Sequence, residues 1–378
     1  MIINNVKLVL EDEVVQGSLE MQDGIIRAFA ESQSRHPEAL DGEGGWLLPG
    51  LIELHTDNLD KFFTPRPKVD WPAHSAMSSH DALMVASGIT TVLDAVAIGD
   101  VRDGGDRLEN LEKMINAVEE TQKRGVNRAE HRLHLRCELP HHTTLPLFEK
   151  LVDREPVTLV SLMDHSPGQR QFANREKYRE YYQGKYSLND EQMAHYEEEQ
   201  LQLAARWSQP NRAAIAQMCR ERHLALASHD DATPDHVLES HQLGSVIAEF
   251  PTTFEAAEAS RKHGMNVLMG APNIVRGGSH SGNVAAHKLA ELGLLDILSS
   301  DYYPASLLDA AFRVADDKAN TFTLPQAMRL VTRNPARALN LDDRGIIAEG
   351  RRADLVLAHR KGDHIHIDHV WRQGKRVF

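Results

Sequence analysis

The middle of the chain alternates short apolar runs with amphipathic segments. Eight runs are rich in Val, Ile and Leu and lack strict alternation with polar residues, which is typical of strands buried on both faces. Numbered as strands 1 to 8 in chain order, these runs are GLIELHTD, ITTVLDAVA, RLHLRCELP, VTLVSLMDH, LALASHDD, SVIAEFPTT, MNVLMGAPN and DILSSDYYP. They predict eight largely buried strands in this part of the chain.

Four segments around these strands carry the signals of helices. Residues 106–125 end at Gly125 and place four apolar side chains on one helical stripe, namely Leu108, Leu111, Ile115 and Val118. The segments TFEAAEASRKHG and GNVAAHKLAELG also end on glycine. TLPQAMRLVTRNPARAL opens with Thr323 and Gln326 at the spacing of a capping box.

Eight strands that alternate with helices predict an α/β fold, a (β/α)8 barrel of residues 48–344. A doubly wound open sheet is the structural alternative, less favoured because no Gly-rich phosphate turn follows the first strand. Residues 1–47 and 345–378 consist instead of short strands separated by turns. Because chain termini are often close in space, we expect these two ends to form one small β domain.

Imidazoles and carboxylates occur where the predicted strands end. The active sites of (β/α)8 barrels lie at the carboxyl ends of the strands, so these side chains are expected to meet over one barrel mouth. His55 and Asp57 are two residues apart on a strand and therefore point the same way. The candidate ligands are His55 and Asp57 on strand 1, Glu138 on strand 3, His165 on strand 4, His229 (followed by Asp230 and Asp231) on strand 5, and Asp301 on strand 8.

This set of residue types suits two divalent metal ions. Neutral imidazoles favour Zn, Mn, Fe or Ni, and the two oxygens of Glu138 can touch both ions. Asp301 is the candidate catalytic residue, which would bind one ion and act as general base for an attacking water. Taken singly, Glu138 could pair with Arg136 and Asp301 could cap the following helix. The joint pattern favours a metal site.

Composition limits the remaining classes of function. The chain has 42 Lys and Arg against 55 Asp and Glu, a net charge of −13, which argues against a general binder of nucleic acid or of anionic membranes. The two cysteines, Cys137 and Cys219, argue against a disulfide framework. No signal-peptide pattern is present at the start, and no apolar run approaches the ~20 residues needed to span a bilayer. We expect a cytoplasmic protein.

Two segments near the predicted strand ends have features that suit an anionic substrate. Residues 170–185 carry five basic residues against two acidic ones, together with three tyrosines. They are equally compatible with a lid that binds phosphates and with an amphipathic helix whose basic face is solvated. The Gly-rich VRGGSHSGN follows strand 7, and a plain turn is the alternative there. The candidate substrate-binding residues are Arg170, Arg175, Arg276, Gly277, Gly278, Ser279, His280 and Ser281.

Two stretches resemble the amidohydrolase superfamily, namely LLPGLIELHTD and VTRNPARALNL…RGIIAEGRRADLVL. The resemblance implies a metal-dependent (β/α)8 barrel joined to a small β domain built from both chain ends. Many members have His-x-His on strand 1, a carboxylated lysine on strand 4 and a histidine on strand 6. This chain has His55-Thr56-Asp57 on strand 1, no lysine in SLMDHSPG of strand 4, and Glu249 on strand 6. Because the lysine is missing, Glu138 on strand 3 is the candidate ligand that bridges the two metal ions.

With these departures, the sequence resembles one branch of the superfamily, which acts in the carbon–phosphorus lyase pathway of phosphonate breakdown. The matching stretches are GLIELHTDNLDKFFTPRP, LMDHSPGQRQF, ASHDDAT, AEFPTTFEAA, MGAPNIVRGGSHSGN and SSDYYPASLL. The resemblance implies hydrolysis of a small-molecule ribose 5-triphosphate at its α-phosphorus, which releases pyrophosphate and leaves a 5-phosphate. The scaffold favours a homo-oligomer. The alternatives are a deaminase or hydrolase of a cyclic amide or amidine and, with less support, a non-catalytic assembly protein.

Overall fold

The computed structural model describes residues 1–99 and 106–378, and the side chains of all of these except residues 106–109. The side chain of Leu108 therefore lies outside the described residues. The chain packs as two compact units. The first unit comprises residues 1–94, 117–132 and 269–378, and the second comprises residues 95–116 and 133–268.

The first sheet is built from strands of both chain ends. Its strands are β1 (Ile2–Val9), β2 (Val14–Gln22), β3 (Ile25–Ala30), β4 (Leu40–Asp41), β5 (Trp46–Pro49), β14 (Leu355–Lys361), β15 (His364–Arg372) and β16 (Lys375–Arg376). They are ordered β16-β15-β14-β5-β1-β2-β3, with β4 beside β1, and most pairs are antiparallel. Apolar side chains such as Ile3, Leu8, Leu355 and Trp371 are buried against this sheet. A separate small β domain with the expected boundaries stays a prediction.

The second sheet contains the eight predicted strands in chain order. They are β6 (Leu51–Thr56), β7 (Ile89–Ile98), β8 (Glu130–Glu138), β9 (Val157–Met163), β10 (Ala225–His229), β11 (Ile247–Glu249), β12 (Asn266–Gly270) and β13 (Ile297–Ser299). Each strand lies beside its sequence neighbour, and the pairs β6–β7, β8–β9, β9–β10, β10–β11 and β11–β12 are parallel. A parallel bridge between Thr56 and Asp301 joins the first strand to the end of the last. This sequential order confirms the (β/α)8 barrel and excludes the doubly wound sheet, in which strand order reverses.

Helices follow or separate the barrel strands. They are α1 (Asn58–Phe63), α2 (Ala73–Ala86), α3 (Asp106–Arg124), α4 (Thr144–Leu151), α5 (Arg175–Tyr186), α6 (Asp190–Glu221), α7 (Pro234–Gln242), α8 (Phe254–Lys262), α9 (Ala271–Arg276), α10 (Ala286–Glu291), α11 (Ser306–Asp316), α12 (Leu324–Arg329) and α13 (Arg333–Ala338). Among the residues that the structure describes, no helix is both long and apolar enough to cross a membrane.

The segment TLPQAMRLVTRNPARAL forms two short helices, α12 and α13. The predicted capping box is present, because Thr323 accepts a hydrogen bond from the Gln326 amide and the Gln326 side chain accepts one from the Thr323 amide. A continuous helix would need an N–H at Pro335 to bond the carbonyl of Val331. That carbonyl instead accepts from the Ile52 amide of β6 at 2.9 Å. Proline therefore breaks the helix and leaves a carbonyl to anchor the first barrel strand.

The basic insertion folds as a short 3₁₀ turn (Arg170–Phe172) and α5, which packs on α6. The sequence did not predict α6, a helix of 32 residues that contains Pro210. Tyr178 and Tyr182 are buried in an aromatic cluster with Phe172 and Tyr196. Most of the predicted aromatic face of the insertion is thus occupied by packing within the insertion itself, as expected of an amphipathic helix.

Candidate metal centre

Three predicted ligands of the first unit lie together. His55, Asp57 and Asp301 each offer one ligand atom, and these atoms lie within 4.8 Å of one another. His55 Nε2 is 3.8 Å from Asp57 Oδ1. The His55 side chain is buried, whereas about a third of the Asp57 side chain is exposed (34%). One imidazole and two carboxylates at this spacing are a donor set that suits a divalent ion.

The backbone around this group explains why the three side chains converge. Asp57 immediately follows β6 and precedes α1, and its amide donates to the Asp301 carbonyl at 3.3 Å. Thr56 and Asp301 form the parallel bridge between the first and last strands. Asp301 has a φ of 54°, a left-handed conformation that aspartate adopts more readily than most residues. Barrel closure therefore brings the strand 8 carboxylate to the strand 1 ligands.

Glu53 supports this group and was not predicted from the sequence. It is fully buried on β6, two residues before His55, and accepts hydrogen bonds from the amide of His55 at 2.8 Å and from the amide of Ser300 at 2.7 Å. The Ser299 hydroxyl donates to it at 2.6 Å. Burial raises the pKa of Glu53, although the hydrogen bonds from Ser299 and Ser300 oppose this. The period-two spacing of residues 53, 55 and 57 was the available signal.

Three predicted ligands of the second unit also lie together. Glu138 Oε1 is 2.7 Å from His165 Nδ1, and Asp230 Oδ2 is 3.6 Å from His165 Nε2 and 3.3 Å from His229 Nε2. The ligand atoms of His165, His229 and Asp230 lie within 4.8 Å of one another. Asp230 belongs to the predicted His-Asp-Asp run but was not singled out. A single centre that joins this group to the first stays a prediction.

Glu138 keeps one carboxylate oxygen available. Its Oε2 atom is buried and accepts no hydrogen bond from the residues that the structure describes. Burial raises the pKa of Glu138, but His165 and Arg136 outweigh it, so the pKa lies below its usual range. A buried, ionised and partly unsatisfied carboxylate is costly unless a cation is bound there. This oxygen fits the predicted role of Glu138 as a metal ligand.

The carboxylates around His165 also stabilise a positive charge at this position. Burial alone would lower the pKa of His165, but the carboxylates of Glu138 and Asp230 raise it to about 10. Burial raises the pKa of Asp230, and His229 and His165 more than reverse this effect. The carboxylates thus stabilise a cation between them, which can be a proton on the imidazole or a divalent metal ion.

Behind His229 lies a set of buried polar side chains that the sequence analysis did not assign. Glu249 Oε2 is 3.1 Å from His229 Nδ1, and Glu249 Oε1 is 3.5 Å from His134 Nε2. Ser161 Oγ donates to Glu249 Oε2 at 3.0 Å. A carboxylate on the far nitrogen fixes the tautomer and orientation of a ligating imidazole. His134 is four residues before Glu138 on β8, so its position on the same face was readable from the sequence.

Strand ends at both groups have left-handed backbone conformations. The φ values are 55° at Asp230, 51° at Phe250 and 54° at Asp301. For a bulky residue such as Phe250 this conformation is an outlier, and such strain is typical of functional sites. The Phe250 ring packs edge-on against the His229 ring, with centroids 5.5 Å apart. The turn after β11 therefore helps to hold a metal-ligand candidate in place.

Two of the three arginines predicted to bind substrate are engaged by carboxylates. Arg170 is buried, with Nε 3.0 Å from Asp231 Oδ1 and Nη2 3.0 Å from Glu239 Oε1. Arg175 Nε donates to Glu197 Oε1 at 2.6 Å, and about half of its side chain is exposed. These pairs neutralise charge and tie the insertion to its neighbours. A direct role of either arginine in substrate binding stays a prediction.

The Gly-rich loop lies beside the residue that follows Asp301. It begins after Arg276, the last residue of α9, with Gly277 at a φ of 78°, which glycine adopts without strain. The His280 ring is edge-on to the Tyr302 ring at 6.4 Å between centroids. The helix predicted within the segment GNVAAHKLAELG begins at Ala286. The other predicted residues of the loop are Gly278, Ser279 and Ser281, which are partly exposed.

The fold and these donor sets together define a metal-dependent hydrolase barrel. The sequence model of the amidohydrolase family matches residues 86–378, so the chain belongs to the amidohydrolase family. Members of this superfamily generally depend on metal ions. The α-D-ribose 1-methylphosphonate 5-triphosphate diphosphatase of Escherichia coli (strain K12) is 89% identical over 378 residues, which is 100% of both chains.

Solved structures share the fold at low sequence identity. The 5-methylcytosine deaminase from Klebsiella pneumoniae liganded with phosphonocytosine has a TM-score of 0.64 and 17% identity, and the match covers 100% of this chain and 98% of that chain. The N-acetyl-D-glucosamine-6-phosphate deacetylase from Mycobacterium smegmatis has a TM-score of 0.63 and 17% identity, with 100% of both chains covered. These likenesses confirm the fold alone.

Proposed function

We propose that this chain hydrolyses α-D-ribose 1-methylphosphonate 5-triphosphate at the α-phosphorus. The products are α-D-ribose 1-methylphosphonate 5-phosphate and pyrophosphate, and the reaction belongs to phosphonate breakdown. The observation that carries the proposal is the 89% identity, over the full length of both chains, to the diphosphatase of that name. The ligand groups at the strand ends supply the chemistry that a metal-dependent hydrolase needs.

The enzyme is proposed to hold two divalent ions, each Zn, Mn, Fe or Ni. His55, Asp57 and Asp301 would hold one ion, and Glu138, His165 and His229, with Asp230, would hold the other. Bound ions of this kind polarise phosphoryl oxygens and lower the pKa of water. The free Oε2 atom of Glu138 and the mixed imidazole and carboxylate donors both support metal binding here.

Asp301 is proposed to take the proton of the attacking water. Its carboxylate has two oxygens, so one can face an ion while the other accepts the proton. The bridge to Thr56 and the hydrogen bond from the Asp57 amide fix its backbone. A base held in this way needs little reorganisation during the reaction, which favours catalysis.

The loop of residues 276–281 is proposed to bind the phosphate groups. The left-handed Gly277 opens the backbone, and Ser279, His280 and Ser281 offer hydrogen-bond donors at the partly exposed loop. Arg276 adds a permanent positive charge. Arg170 and Arg175 are weaker candidates because Asp231, Glu239 and Glu197 already match their charges.

The proposal also covers the cellular compartment, the oligomeric state and the partners of the enzyme. The substrate is a small molecule, and the enzyme is proposed to act in the cytoplasm as a homo-oligomer without nucleic-acid partners. Cys137 and Cys219 are both buried and form no disulfide in the described chain, which agrees with a reducing compartment.

Metal-dependent release of pyrophosphate tests the proposed function. The protein is stripped with a chelator, reloaded with each metal in turn and incubated with the ribose methylphosphonate triphosphate, and pyrophosphate is measured with a coupled enzyme. We expect turnover only in the reloaded protein, with about two ions bound per chain. Turnover that is unchanged after complete metal removal would contradict the proposed metal chemistry. No turnover with two ions bound would contradict the proposed substrate.

A further inference from the structure

Helix α6 contains two consecutive buried polar residues, Asn211 and Arg212, of which 2% and 3% are exposed. They directly follow Pro210, the proline inside this helix. Neither side chain has a part in the reaction proposed above. Because burial of a polar or charged group costs free energy unless the group is paired, the partners of these two side chains indicate what they do.

Arg212 connects α6 to the turn after β9. Its Nη2 atom lies 3.4 Å from Asp164 Oδ2, and its Nη1 atom donates to Glu239 Oε1 at 3.0 Å. Asp164 is buried, follows β9 and immediately precedes His165. The other oxygen of Asp164 accepts from the Ser166 amide at 3.1 Å. One buried carboxylate thus links the backbone on the far side of His165 to α6, which restricts the movement of this turn.

Glu239 on α7 extends the connection to the turn after β10. The oxygen that accepts from Arg212 also lies 3.0 Å from Arg170 Nη2. Arg170 Nε in turn donates to Asp231 Oδ1 at 3.0 Å. Asp231 is buried and immediately follows Asp230. A continuous chain of ion pairs therefore runs from α6 to the residue beside a candidate metal ligand.

Asn211 fixes the turn after β8 in the same way. Its Nδ2 atom donates to the carbonyl of Leu139 at 2.9 Å and to the carbonyl of His141 at 3.0 Å. Leu139 immediately follows Glu138, the last residue of β8. Two neighbouring side chains of one helix therefore contact, directly or through ion pairs, the turns that carry three candidate ligands of the second group, namely Glu138, His165 and Asp230.

We propose that Asn211 and Arg212 are positioning residues, which hold Glu138, His165 and Asp230 at the spacing that a divalent metal ion requires. This inference rests on the proposed function, because that function places an ion in the second ligand group. The three ligand candidates follow different strands, so their turns must be fixed before the donor set is complete. Groups that orient metal ligands raise the affinity for the metal. The alternative is that the two residues only stabilise the packing of α6.

Zinc affinity distinguishes these two roles. The metal-free protein is titrated with Zn²⁺ in competition with a chromophoric chelator, and the two affinities are fitted separately. We expect Arg212→Met and Asn211→Ala to weaken one of them by about 10–100-fold, the usual effect of removing a group that orients a metal ligand. The other affinity should stay within about twofold of wild type. His165→Ala, which lacks an imidazole of the second group, shows which affinity belongs to that group.

Arg212→Lys is the conservative variant. Lysine keeps the positive charge, but its ammonium group lacks the planar fork with which arginine bonds two carboxylates at once. We expect the affinity for the second ion to lie between those of Arg212→Met and wild type. If Arg212→Met does not fold, a wild-type affinity in both Arg212→Lys and Asn211→Ala overturns the proposal.

Ile215→Val is the matched control for stability. Ile215 is fully buried on the same helix, and the loss of one methyl group leaves a small cavity. This variant should have a lower melting temperature and both zinc affinities of wild type. Arg220→Met removes an exposed arginine of α6 that lies outside the network, and should change neither property. If Arg212→Met and Asn211→Ala behave as Ile215→Val does, the two residues only stabilise the fold and the proposal is overturned.

The zinc titration needs no turnover, which keeps this inference separate from the proposed reaction. If wild type binds two ions but releases no pyrophosphate from the ribose methylphosphonate triphosphate, the proposed reaction fails, and the affinities still decide the role of Asn211 and Arg212. If wild type binds no ion that is lost in His165→Ala, the proposed metal centre and this inference both fail.

Discussion

Asp301 combines a left-handed backbone conformation with a carboxylate at the proposed site of proton transfer. Asp301→Asn keeps the size of the side chain and suits the left-handed backbone, so the fold should be retained. We expect kcat to fall by about 10²–10⁴-fold, the usual contribution of a general base, while the ion held by Glu138 and His165 remains. Kinetics and elemental analysis measure both effects. Asp309→Asn, which removes only an exposed pair with Arg313, is the control. Full activity in Asp301→Asn would remove Asp301 from the mechanism.

Glu53 is a positioning residue, because it contacts the backbone of the strands that carry His55 and Asp301. In Glu53→Gln an amide NH2 replaces an accepting oxygen, and it must face either the Ser300 N–H or the His55 N–H. A buried donor left unpaired costs about 1–3 kcal/mol. We expect a lower melting temperature and a lower kcat with little change in KM, measured by calorimetry and steady-state kinetics.

Ser300→Ala is the control for Glu53→Gln. The Ser300 amide donates to Glu53 at 2.7 Å, and the buried Ser300 hydroxyl also lies beside Glu53 and lowers the pKa of that carboxyl. The substitution keeps the amide, so its effects on kcat and on the melting temperature should be smaller than those of Glu53→Gln. If Glu53→Gln has the kcat and the melting temperature of Ser300→Ala, Glu53 has no positioning role.

At the scale of residues, the sequence predicted the candidate ligands at the strand ends but not the buried side chains that form hydrogen bonds around those ligands. His55 and Asp57 stand out because an apolar strand ends in polar residues with a spacing of two. Glu249 and Ser161 are buried by strands from distant parts of the chain, and their hydrogen bonds depend on the register between β9, β10 and β11. A single sequence does not reveal that register.

At the scale of elements, one buried carboxylate of α6 forms ion pairs with two arginines of α5. Glu197 accepts from Arg175 Nε and Arg179 Nε, each at 2.6 Å. In Glu197→Gln an amide NH2 faces one of the two guanidinium groups. We expect faster hydrogen exchange across α5, by about tenfold or more, since hydrogen bonds to charged groups contribute about 1.5–3 kcal/mol. Mass spectrometry of deuterium uptake measures this change.

Glu198→Gln is the matched control for the helix pair. Glu198 is the next residue, lies on the exposed face of α6 and accepts a hydrogen bond from the Gln202 side chain at 3.2 Å. It should leave the exchange of α5 unchanged. Equal exchange in α5 for the two variants would show that the Glu197 carboxylate does not hold α5 in place.

Elements that depend on local signals were predicted better than elements that depend on tertiary packing. The capping box at Thr323 was correct because it involves residues three positions apart. The same segment has a helical pattern throughout, so its break into two helices near Pro335 was not predicted. The break is stabilised by barrel strands, whose amides donate to the carbonyls that are left without helical partners. The polar start of α6 and its internal Pro210 gave no clear helical signal, and its stability comes from the packing of its buried side chains.

At the scale of the whole molecule, a buried network of histidines and aspartates makes stability depend on pH. In the first unit, His131 Nδ1 is 2.8 Å from Asp94 Oδ2 and His131 Nε2 is 2.8 Å from Asp81 Oδ1. Burial lowers the pKa of His131, but Asp94 and Asp81 raise it to about 9. The folded state therefore binds this proton more tightly than the unfolded state, whose histidine pKa is about 6.5. This stabilisation is complete below about pH 6.5 and is lost as the pH rises through 9.

Urea unfolding of the metal-loaded protein at pH 6 and pH 9.5 measures this loss. We expect wild type to lose up to about 3 kcal/mol, the free-energy equivalent of the pKa difference. His131→Asn should be less stable at pH 6 and should lose less between the two pH values. His74→Asn, at an exposed pair with Glu120, is the control and should behave as wild type. An identical pH dependence in His131→Asn and wild type would contradict the role of the network.

The overall architecture was the most predictable level, because it follows from eight apolar runs separated by helices. The sequential order of β6 to β13 and the sheet from both chain ends agree with that pattern. The reaction could not be derived from the architecture, since the 5-methylcytosine deaminase and the N-acetyl-D-glucosamine-6-phosphate deacetylase share it. The departures at Asp57, Glu138 and Glu249 from the commoner ligand pattern pointed to the branch of the superfamily that acts in phosphonate breakdown.

The central claim is attack of water at the α-phosphorus, and phosphorus NMR in oxygen-18 water tests it most directly. The metal-loaded protein is incubated with the ribose methylphosphonate triphosphate, and the isotope shift locates the label. We predict one labelled oxygen in the ribose 5-phosphate and unlabelled pyrophosphate. Label in the pyrophosphate would mean attack at the β-phosphorus, and labelled orthophosphate would mean attack at the γ-phosphorus. Either result would contradict the account.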